Sequence, residues 1–477
     1  MVRTRFAPSP TGYMHIGNLR TALYAYLTAR RRGGVFILRI EDTDQGRNIP
    51  EALAAIYKGL ALAGLNYDEG PDKNGGYGPY VQSQRLPIYK ELAQKLIEQG
   101  SAYRCFCKKD DHDESEDQPI RRDPCRILTS DDVAAKLEVG ESFVVRQKIP
   151  AQGSTTFVDH VYGEITIEHS QLDDQILLKS DGFPTYNFAN VVDDHLMRIT
   201  HVMRGQEYLS STPKYNLLYE SFGWPIPEYV HLPLIIKSDG TKFSKRLGDP
   251  SFEDLVMMGY LPEAIVNYIA LLGWSPGNDQ EFFTLAELEK VFSIDRINKS
   301  SAAFSFDKLT WINGEHIRAL SADTFHDLAV TYYPHELSNF NTRKISDLLQ
   351  VRTEKLTDIP DMVSFFSAVP EYDVAMYSHE KSKCDPQISL AVLKAVKPVM
   401  AALEDWDNDS LYQVLKEFGK ENGYKTGTVM WPIRTALSGV LVTPGGATAL
   451  AEILGKGETL KRIDDGINKL EEVFRQG

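Results

Sequence analysis

The fold is decided near the N-terminus by the stretch Val2-Arg3-Thr4-Arg5-Phe6-Ala7-Pro8-Ser9-Pro10-Thr11-Gly12-Tyr13-Met14-His15-Ile16-Gly17-Asn18. Its first six residues are typical of a short buried strand, and the segment rich in Pro and Gly after them is typical of a turn. Apolar residues then recur at helical spacing over residues 15–29, and residues 35–40 have the composition of a second buried strand. The order strand, helix, strand predicts an α/β fold with a parallel sheet.

A polar run, Glu41-Asp42-Thr43-Asp44, directly follows the second predicted strand. In open α/β sheets, ligand-binding groups collect beyond the carboxyl ends of the strands. Strand patterns return at residues 199–205 and 229–236, on either side of a helical pattern at residues 213–222. The same sheet is therefore predicted to resume far along the chain.

The composition changes sharply between these two parts of the sheet. Residues 105–194 contain the acidic run at 110–117 and β-like stretches at 142–148 and 164–168, so we predict an inserted domain. After the turn Ser238-Asp239-Gly240 the pattern is almost entirely helical. A chain of 477 residues is expected to form two to four domains.

The charge and composition exclude several classes of protein. A net charge of −14 argues against a surface that binds nucleic acid all over, so an RNA partner would meet local basic patches. No apolar run approaches the roughly 20 residues that a membrane span needs, and no secretory signal pattern is visible. With only four cysteines as well, we expect a soluble protein of the reducing cytoplasm that does not associate with membranes.

The turn His15-Ile16-Gly17-Asn18 is the first candidate for chemistry. A strand-to-helix turn presents backbone N–H groups and the positive end of the helix to an anion. Gly17 would let a base or a phosphate approach the backbone closely. Considered alone, the turn is equally well explained as an ordinary loop between a strand and a helix.

The second candidate is the cationic run Lys242-Phe243-Ser244-Lys245-Arg246, which follows the strand predicted at residues 229–236. Three cations cannot be buried together without anions, so the run is either a solvated loop or a clamp for polyphosphate. Considered alone, the solvated loop is the better explanation. Combined with the histidine turn, the run would complete a nucleotide site with a mobile cationic lid.

Together the two runs resemble the signature motifs of class I aminoacyl-tRNA synthetases, His-Ile-Gly-His and Lys-Met-Ser-Lys-Ser. Further stretches resemble the bacterial glutamyl branch of that class, namely residues 5–12, 39–44, 103–107 and 185–214, Lys299-Ser300 and Trp311-Ile312-Asn313. Asn18 stands in place of the last His of the general motif, as is common in this branch. Phe243 stands where Leu or Met is usual. Neither difference removes a charge.

The resemblance implies a definite domain order. We expect a Rossmann-like catalytic domain at residues 1–104 and 195–240, interrupted at 105–194 by an α+β domain that binds the acceptor end of tRNA. A stem-contact domain with the lysine-rich loop would span residues 241–325. A helical region that binds the anticodon would span residues 326–477.

The resemblance also implies that the two motifs bind ATP, accompanied by Mg²⁺, and activate the amino acid. His15 and Lys245 would stabilise charge on the α-phosphate while the glutamate carboxylate attacks it. The implied catalytic residues are His15, Gly17, Asn18, Lys242, Ser244 and Lys245. The implied ATP-binding residues are Ser9, Thr11, Gly12, His15, Gly17 and Lys245.

Glutamate needs cationic or donor groups for its carboxylates and an anion for its amino group. Residues at predicted strand ends supply both, and the resemblance adds further pocket positions. The expected glutamate-binding residues are Arg5, Ser9, Glu41, Tyr186, Asn190 and Arg204. An arginine in the pocket, rather than a neutral group, favours a carboxylate over an amide. For any single arginine, a surface ion pair is the commoner explanation.

Three cysteines, Cys105, Cys107 and Cys125, resemble a zinc knuckle of many bacterial glutamyl enzymes. Ile127 stands where that pattern has a histidine. The fourth ligand is therefore open among His112, Asp110 and Asp123, and three reduced thiols without metal are the alternative. Cys384 is isolated and is expected to be structural.

The expected partners are ATP, L-glutamate and tRNA, and the protein is expected to act as a monomer.

A glutaminyl enzyme is the nearest alternative function, but that branch usually ends in a β-barrel region, whereas the pattern beyond Phe304 is helical. A shortened relative that glutamylates a modified tRNA base lacks an anticodon region. A catalytically inactive tRNA-binding protein would not need His15, Lys245 and Glu41, and this chain has all three. A nucleotidyltransferase without RNA would leave the insertion and the helical extension unexplained.

Overall fold

The computed structural model describes residues 1–10, 14–44, 46, 50–107, 123–243 and 248–476. The chain divides into two compact units. The first comprises Met1–Met257 and Pro262–Leu309, and the second comprises Met258–Leu261 and the chain from Thr310 onward.

The first unit contains a mixture of strands and helices. Its described strands are β1 (Arg3–Phe6), β2 (Val35–Leu38), β3 (Ala102–Cys105), β4 (Val144–Gln147), β5 (Ser154–Asp159), β6 (Gly163–Glu168), β7 (Ile176–Leu178), β8 (His201–Gly205), β9 (Glu228–Leu232), β10 (Ile235–Ile236) and β11 (Ala302–Ala303). Its described helices are α1 (Ile16–Arg31), α2 (Pro50–Leu62), α3 (Leu86–Glu98), α4 (Ser130–Glu138), α5 (Tyr186–Leu196), α6 (Thr212–Phe222), α7 (Phe252–Met257), α8 (Pro262–Leu271) and α9 (Leu285–Val291).

A parallel sheet lies at the centre of this unit, which confirms the predicted α/β class. β1 and β2 are parallel and are joined through α1. The backbone N–H of Thr200, just before β8, donates to the carbonyl of Arg3 at 2.9 Å, and β8 is parallel to β9. Gly34 lets β2 start close to β1, because a Cβ at this position would lie 2.3 Å from the Val2 carbonyl oxygen. The strands thus end together at one edge of the sheet.

The insertion contributes to two sheets. β3, β4 and β7 form an antiparallel sheet of their own. The hairpin β5–β6 instead extends the parallel sheet, since Asp159 at the end of β5 pairs with Tyr229 of β9. The central sheet therefore reaches across the border predicted at residue 194, and the predicted domain borders stay predictions.

An apolar cluster fixes the helices that carry the cleft residues. Tyr89 of α3, Phe188 and Val192 of α5 and Leu218 of α6 are fully buried against one another. Burial of side chains of this size stabilises a fold by about 1.5–3 kcal/mol each. The cluster holds α5 so that Tyr186, at its N-terminal end, lines the cleft at the carboxyl edge of the sheet.

From residue 306 onward the described regular structure is helical, as the pattern predicts. The helices are α10 (Phe306–Ala319), α11 (Ala322–Ala329), α12 (Thr342–Leu349), α13 (Ile359–Ser367), α14 (Pro386–Ala402), α15 (Asn408–Glu421), α16 (Thr426–Ser438) and α17 (Ala447–Gln476), with a kink at Gly455 inside α17. None of the described helices has the length and hydropathy that crossing a membrane requires.

One buried arginine ties the helices of the second unit together. The guanidinium of Arg462 on α17 donates to the carbonyls of Phe365, Phe366 and Leu437 at 2.7–2.8 Å. These carbonyls lie in the last turns of α13 and α16, where backbone oxygens lack partners within the helix. The arginine therefore satisfies the ends of two helices at once.

Candidate active site

A cleft of about 480 Å³ opens at the carboxyl ends of β1, β8 and β9, beside the start of α1. Most of the described residues that the sequence singled out lie in its walls. These are Arg5, Ser9, His15, Gly17, Asn18, Glu41, Tyr186, Arg204 and Lys242. Thr11, Gly12, Ser244 and Lys245 lie outside the described residues. The structure thus brings segments from four distant parts of the chain to one site.

His15 caps the N-terminus of α1. Its backbone is extended, with φ −68° and ψ 145°, and its Nδ1 accepts a hydrogen bond from the backbone N–H of Gly17 at 2.9 Å. Since Nδ1 is the acceptor, a neutral ring carries its proton on Nε2. No acidic side chain lies in the first turn of α1, so the positive end of the helix is not offset there. This corner of the cleft suits an anion.

The described part of the lysine-rich run reaches the same corner. The backbone N–H of Phe243 donates to the carbonyl of Ile235 at 3.0 Å, which ties the run to β10. The Phe243 ring is buried, stacks on Phe304 at 4.6 Å and lies edge-on to the His15 ring at 6.2 Å. Lys242 and Phe243 both line the cleft. The two motifs therefore meet, as far as the described residues extend.

Arg5 lies in the floor of the cleft and already contacts a carboxylate. It is 4% exposed, and its Nε and Nη2 donate to the two oxygens of Asp194 at 3.0 and 3.3 Å. Its Nη1 donates to the carbonyl of Met203 at 3.1 Å. The charge of Arg5 is thus balanced within the protein.

Arg39 links the carboxylates of the floor. It is fully buried, and it donates to Asp194 at 2.7 Å and to Glu41 at 3.0 Å. Burial would raise the pKa of Asp194, but Arg5 and Arg39 outweigh burial and hold that pKa below its ordinary value. Burial raises the pKa of Glu41 to about 7, although Arg39 and Arg5 oppose the rise. Glu41 is therefore the less compensated anion of the two.

Arg204, at the end of β8, has a different environment. Its Nε donates to Nε2 of His231 at 3.0 Å, and its Nη2 donates to Oγ1 of Thr212 at 2.8 Å. The rings of Tyr208, Tyr215 and Tyr229 lie 4.5–5.4 Å from the guanidinium carbon. Among the described residues no carboxylate forms an ion pair with Arg204, although the side chain is only 5% exposed. It is a buried cation held by neutral groups.

Tyr186 and Asn190 differ in how they relate to the cleft. Tyr186, the first residue of α5, lines it and packs against the ring of Tyr208 at 5.2 Å. Asn190 lies one turn further along α5 and is buried, with its amide nitrogen 2.8 Å from the carbonyl oxygen of Tyr186. Asn190 is not among the residues that line the cleft.

Sequence reasoning missed the charged residues beneath the cleft. Arg39 and Asp194 were not singled out, and neither was Asp193, whose carboxylate accepts from Arg85 at 2.7 Å. The available signal was a charge within an apolar segment, such as Arg39 between Leu38 and Ile40. A charged side chain in a buried strand requires a buried partner.

The three cysteines of the insertion converge. Cys107 and Cys125 have their sulfur atoms 3.5 Å apart, and Sγ of Cys105 lies 2.9 Å from Oδ2 of Asp123. One donor atom from each of these four residues lies within 4.8 Å of the other three. Tetrahedral zinc with Zn–S bonds of about 2.3 Å separates its ligand atoms by similar distances, so the group fits zinc. His112 and Asp110 lie outside the described residues.

Comparison with known families identifies two regions. Residues 1–311 match the family described as tRNA synthetases class I (E and Q), catalytic domain. Residues 324–467 match the anticodon binding domain family. The two matches together cover most of the chain.

Individual relatives agree over the full length. The chain is 54% identical to a glutamate–tRNA ligase of Clostridium acetobutylicum, covering 98% of this chain and 99% of that protein. It is 52% identical to the glutamate–tRNA ligase of Clostridium tetani, covering 100% and 99%. The solved glutamate–tRNA ligase of Elizabethkingia meningosepticum, in complex with its amino acid, aligns with a TM-score of 0.87 at 33% identity over 98% of this chain and 99% of that chain.

Proposed function

The chain belongs to the glutamate–tRNA ligases, a branch of the class I tRNA synthetases, and we propose that the cleft beside α1 is where it activates glutamate. In the first step a carboxylate oxygen of glutamate bonds to the α-phosphorus of ATP while the bond to the β-phosphate oxygen breaks, giving glutamyl-adenylate and pyrophosphate. In the second step a hydroxyl of the 3′-terminal adenosine of tRNA attacks the glutamyl carbonyl and releases AMP.

The ATP side of the cleft is proposed to consist of the two motifs. The start of α1 and a ring N–H of His15 would stabilise the charge that develops on the α-phosphate. Mg²⁺ bound with ATP supplies charge neutralisation on the leaving pyrophosphate, held mainly by the phosphates themselves. The other proposed residues are Ser9, Thr11, Gly12, Gly17, Asn18, Lys242, Ser244 and Lys245.

Lys245→Ala is expected to lower the rate of adenylate formation far more than the affinity for glutamate. An unchanged rate would remove Lys245 from the site.

The proposal that the cleft binds glutamate rests on the charges of the buried side chains beneath it. Among the described residues, the buried guanidinium groups of Arg5 and Arg39 form ion pairs with the carboxylates of Glu41, Asp193 and Asp194, whereas the buried guanidinium of Arg204 forms none. An anionic side chain beside Arg204 would restore neutrality, whereas a neutral amide would leave the buried cation unpaired. Glu41 would hold the amino group of the substrate. Arg5, Ser9, Tyr186 and Asn190 complete the proposed glutamate-binding residues.

We also propose a structural zinc ion on Cys105, Cys107, Cys125 and Asp123. When bound, zinc would cross-link β3 to the short helix at Pro124–Ile127 and would take no part in the reaction. Asp123→Asn is expected to lower the affinity for zinc about 10- to 100-fold, measured by competition with a chelating dye. Equal retention of zinc by the variant would remove Asp123 as a ligand.

The use of tRNA by individual regions is proposed as well. The acceptor end would lie on residues 105–194, the stem on 241–325 and the anticodon on 326–477, the last supported by the anticodon-binding family match at 324–467. We propose that the enzyme acts as a monomer in the cytoplasm.

Aminoacylation of purified glutamate and glutamine tRNAs, with each amino acid supplied separately, tests the function. Glutamate is expected to be joined and glutamine refused. Joining of glutamine alone would overturn the pocket assignment. Pyrophosphate exchange measured with and without tRNA tells whether the cleft is active before tRNA binds.

A further inference from the structure

The orientation of Arg204 depends on a neighbour on the adjacent strand. β8 and β9 are parallel, and their register pairs Arg204 with His231. The Nε–H of Arg204 donates to Nε2 of His231 at 3.0 Å. Both side chains are buried, so bulk water cannot replace either partner. Nε2 of His231 must therefore remain an acceptor for this contact, which acts together with the hydrogen bond from Nη2 of Arg204 to Oγ1 of Thr212 at 2.8 Å.

Asp159, the last residue of β5, decides which nitrogen of His231 is the acceptor. Its Oδ2 lies 2.7 Å from Nδ1 of His231 and accepts from the backbone N–H of the same residue at 3.0 Å. Its Oδ1 accepts from the backbone N–H groups of Val161 and Tyr162, both at 2.9 Å. An ionised carboxylate only accepts, so Nδ1 carries the proton and Nε2 is left to accept from Arg204. Burial lowers the pKa of His231, which favours the neutral ring.

We propose that Asp159 and His231 are positioning residues that determine the preference of the cleft for a carboxylate side chain. Asp159 fixes the tautomer of His231, and His231 orients Arg204 without neutralising it. An acidic residue at position 231 would place a negative charge beside the guanidinium and would cancel the charge that selects the substrate. This inference rests on the proposed function, because it takes Arg204 to bind the side-chain carboxylate of glutamate.

Two substitutions at position 231 separate charge from orientation. In aminoacylation by the full chain with glutamate tRNA, His231→Asp is expected to lower the ratio of kcat/KM for glutamate over glutamine about 100-fold. His231→Gln keeps a neutral acceptor and is expected to lower the ratio about tenfold at most. The KM for ATP should stay near the wild-type value in both variants, because the change is confined to the amino acid side of the cleft.

Asp159→Asn tests whether Asp159 fixes the tautomer of His231. Each carboxylate oxygen of Asp159 accepts from two N–H groups, so an amide nitrogen at either position would face donors. The KM for glutamate is expected to rise about tenfold with kcat less affected. The matched control is His160→Gln. His160 also contacts a carboxylate, Glu228 at 2.7 Å, but both side chains are exposed, so its substitution should change neither KM.

The outcomes are distinct. A His231→Asp variant that keeps the wild-type preference for glutamate, or whose KM for ATP rises in parallel with that for glutamate, overturns the proposal. A wild-type enzyme that joins no glutamate overturns the proposed function instead. Should the variants fail to fold, nitrogen NMR of labelled histidines in the wild-type protein reads the tautomer directly. A proton on Nδ1 of His231 supports the proposal, and a proton on Nε2 overturns it.

Discussion

Two buried arginines of the cleft, Arg5 and Arg204, lie at the ends of strands in the same sheet but have opposite environments. Arg5 is bonded to Asp194 through two nitrogens, and that carboxylate is shared with Arg39. Arg204 is bonded to a histidine and a threonine and is surrounded by tyrosine rings. Both are nearly inaccessible to solvent.

The difference shows how a fold separates structural cations from binding cations. A buried ion pair is complete in itself, and removing one partner leaves an uncompensated charge that destabilises the fold. A buried cation with neutral acceptors keeps its charge for a ligand, at the expense of stability in the empty protein. We therefore expect substitutions near Arg204 to affect substrate choice and substitutions near Arg5 to affect folding.

The largest effect is expected for Arg204→Gln. Without the unpaired cation, kcat/KM for glutamate should fall about 1000-fold, while that for glutamine changes little. Urea unfolding should show a stability close to that of the wild type, since no ion pair is lost. A fall of less than about tenfold in kcat/KM for glutamate would contradict the assignment.

Asp194→Asn should act in the opposite way, mainly on stability. It leaves Arg5 and Arg39 short of a carboxylate, so the free energy of unfolding should drop by about 3 kcal/mol in urea titrations. The matched control is Glu141→Gln, which removes an exposed ion pair with Lys136 and should leave the unfolding curve unchanged. Equal unfolding curves for Asp194→Asn and Glu141→Gln would show that the buried ion pairs beneath the cleft do not stabilise the fold.

Arg5→Gln should lower both the stability of the fold and the preference for glutamate, each by less than the two variants above. Asp194 keeps Arg39, so the loss of stability should be near 2 kcal/mol, or about two thirds of that for Asp194→Asn. The preference for glutamate over glutamine should fall about tenfold, because Arg5 lines the cleft and can add a hydrogen bond to the substrate. If the preference for glutamate falls further than in Arg204→Gln, then Arg5, and not Arg204, binds the side-chain carboxylate.

A further expected effect is a pH dependence from Glu41. Burial raises the pKa of its carboxyl to about 7, so the group is ionised above that pH and protonated below it. Because a substrate ammonium group needs the ionised form, the KM for glutamate should rise about tenfold per pH unit below pH 7. In Glu41→Gln the KM should be higher overall and flat across this range. A wild-type KM that is flat from pH 5.5 to 7.5 would exclude Glu41 as the partner of the amino group.

Local patterns predicted much of the sheet and helix order. The strand, helix and strand at residues 3–38 follow from hydrophobic spacing and turn residues within one short segment. The strand predicted at residues 229–236 is divided into β9 and β10 at Pro233, which has no N–H to contribute to the ladder. The positions of predicted strand ends and the family resemblance together supplied nine of the residues that line the cleft.

Contacts between distant segments could not be predicted in this way. Nothing local indicates that β5 joins the central sheet through Asp159, or that His231 lies opposite Arg204, because both facts depend on strand pairing across long stretches of chain. Arg39 and Asp194 were missed because their partners lie 155 residues apart in sequence. Which arginine is neutralised and which is not becomes visible only in three dimensions.

A crystal structure of the enzyme with a stable analogue of glutamyl-adenylate is the most direct test. The side-chain carboxylate of the glutamyl group should lie about 2.8 Å from a guanidinium nitrogen of Arg204. Arg204 should still be bonded to His231, and Arg5 should still be bonded to Asp194. A carboxylate bound away from Arg204, or bound to Arg5 with Asp194 displaced, would contradict the central claim that Arg204, held by neutral groups, selects the substrate.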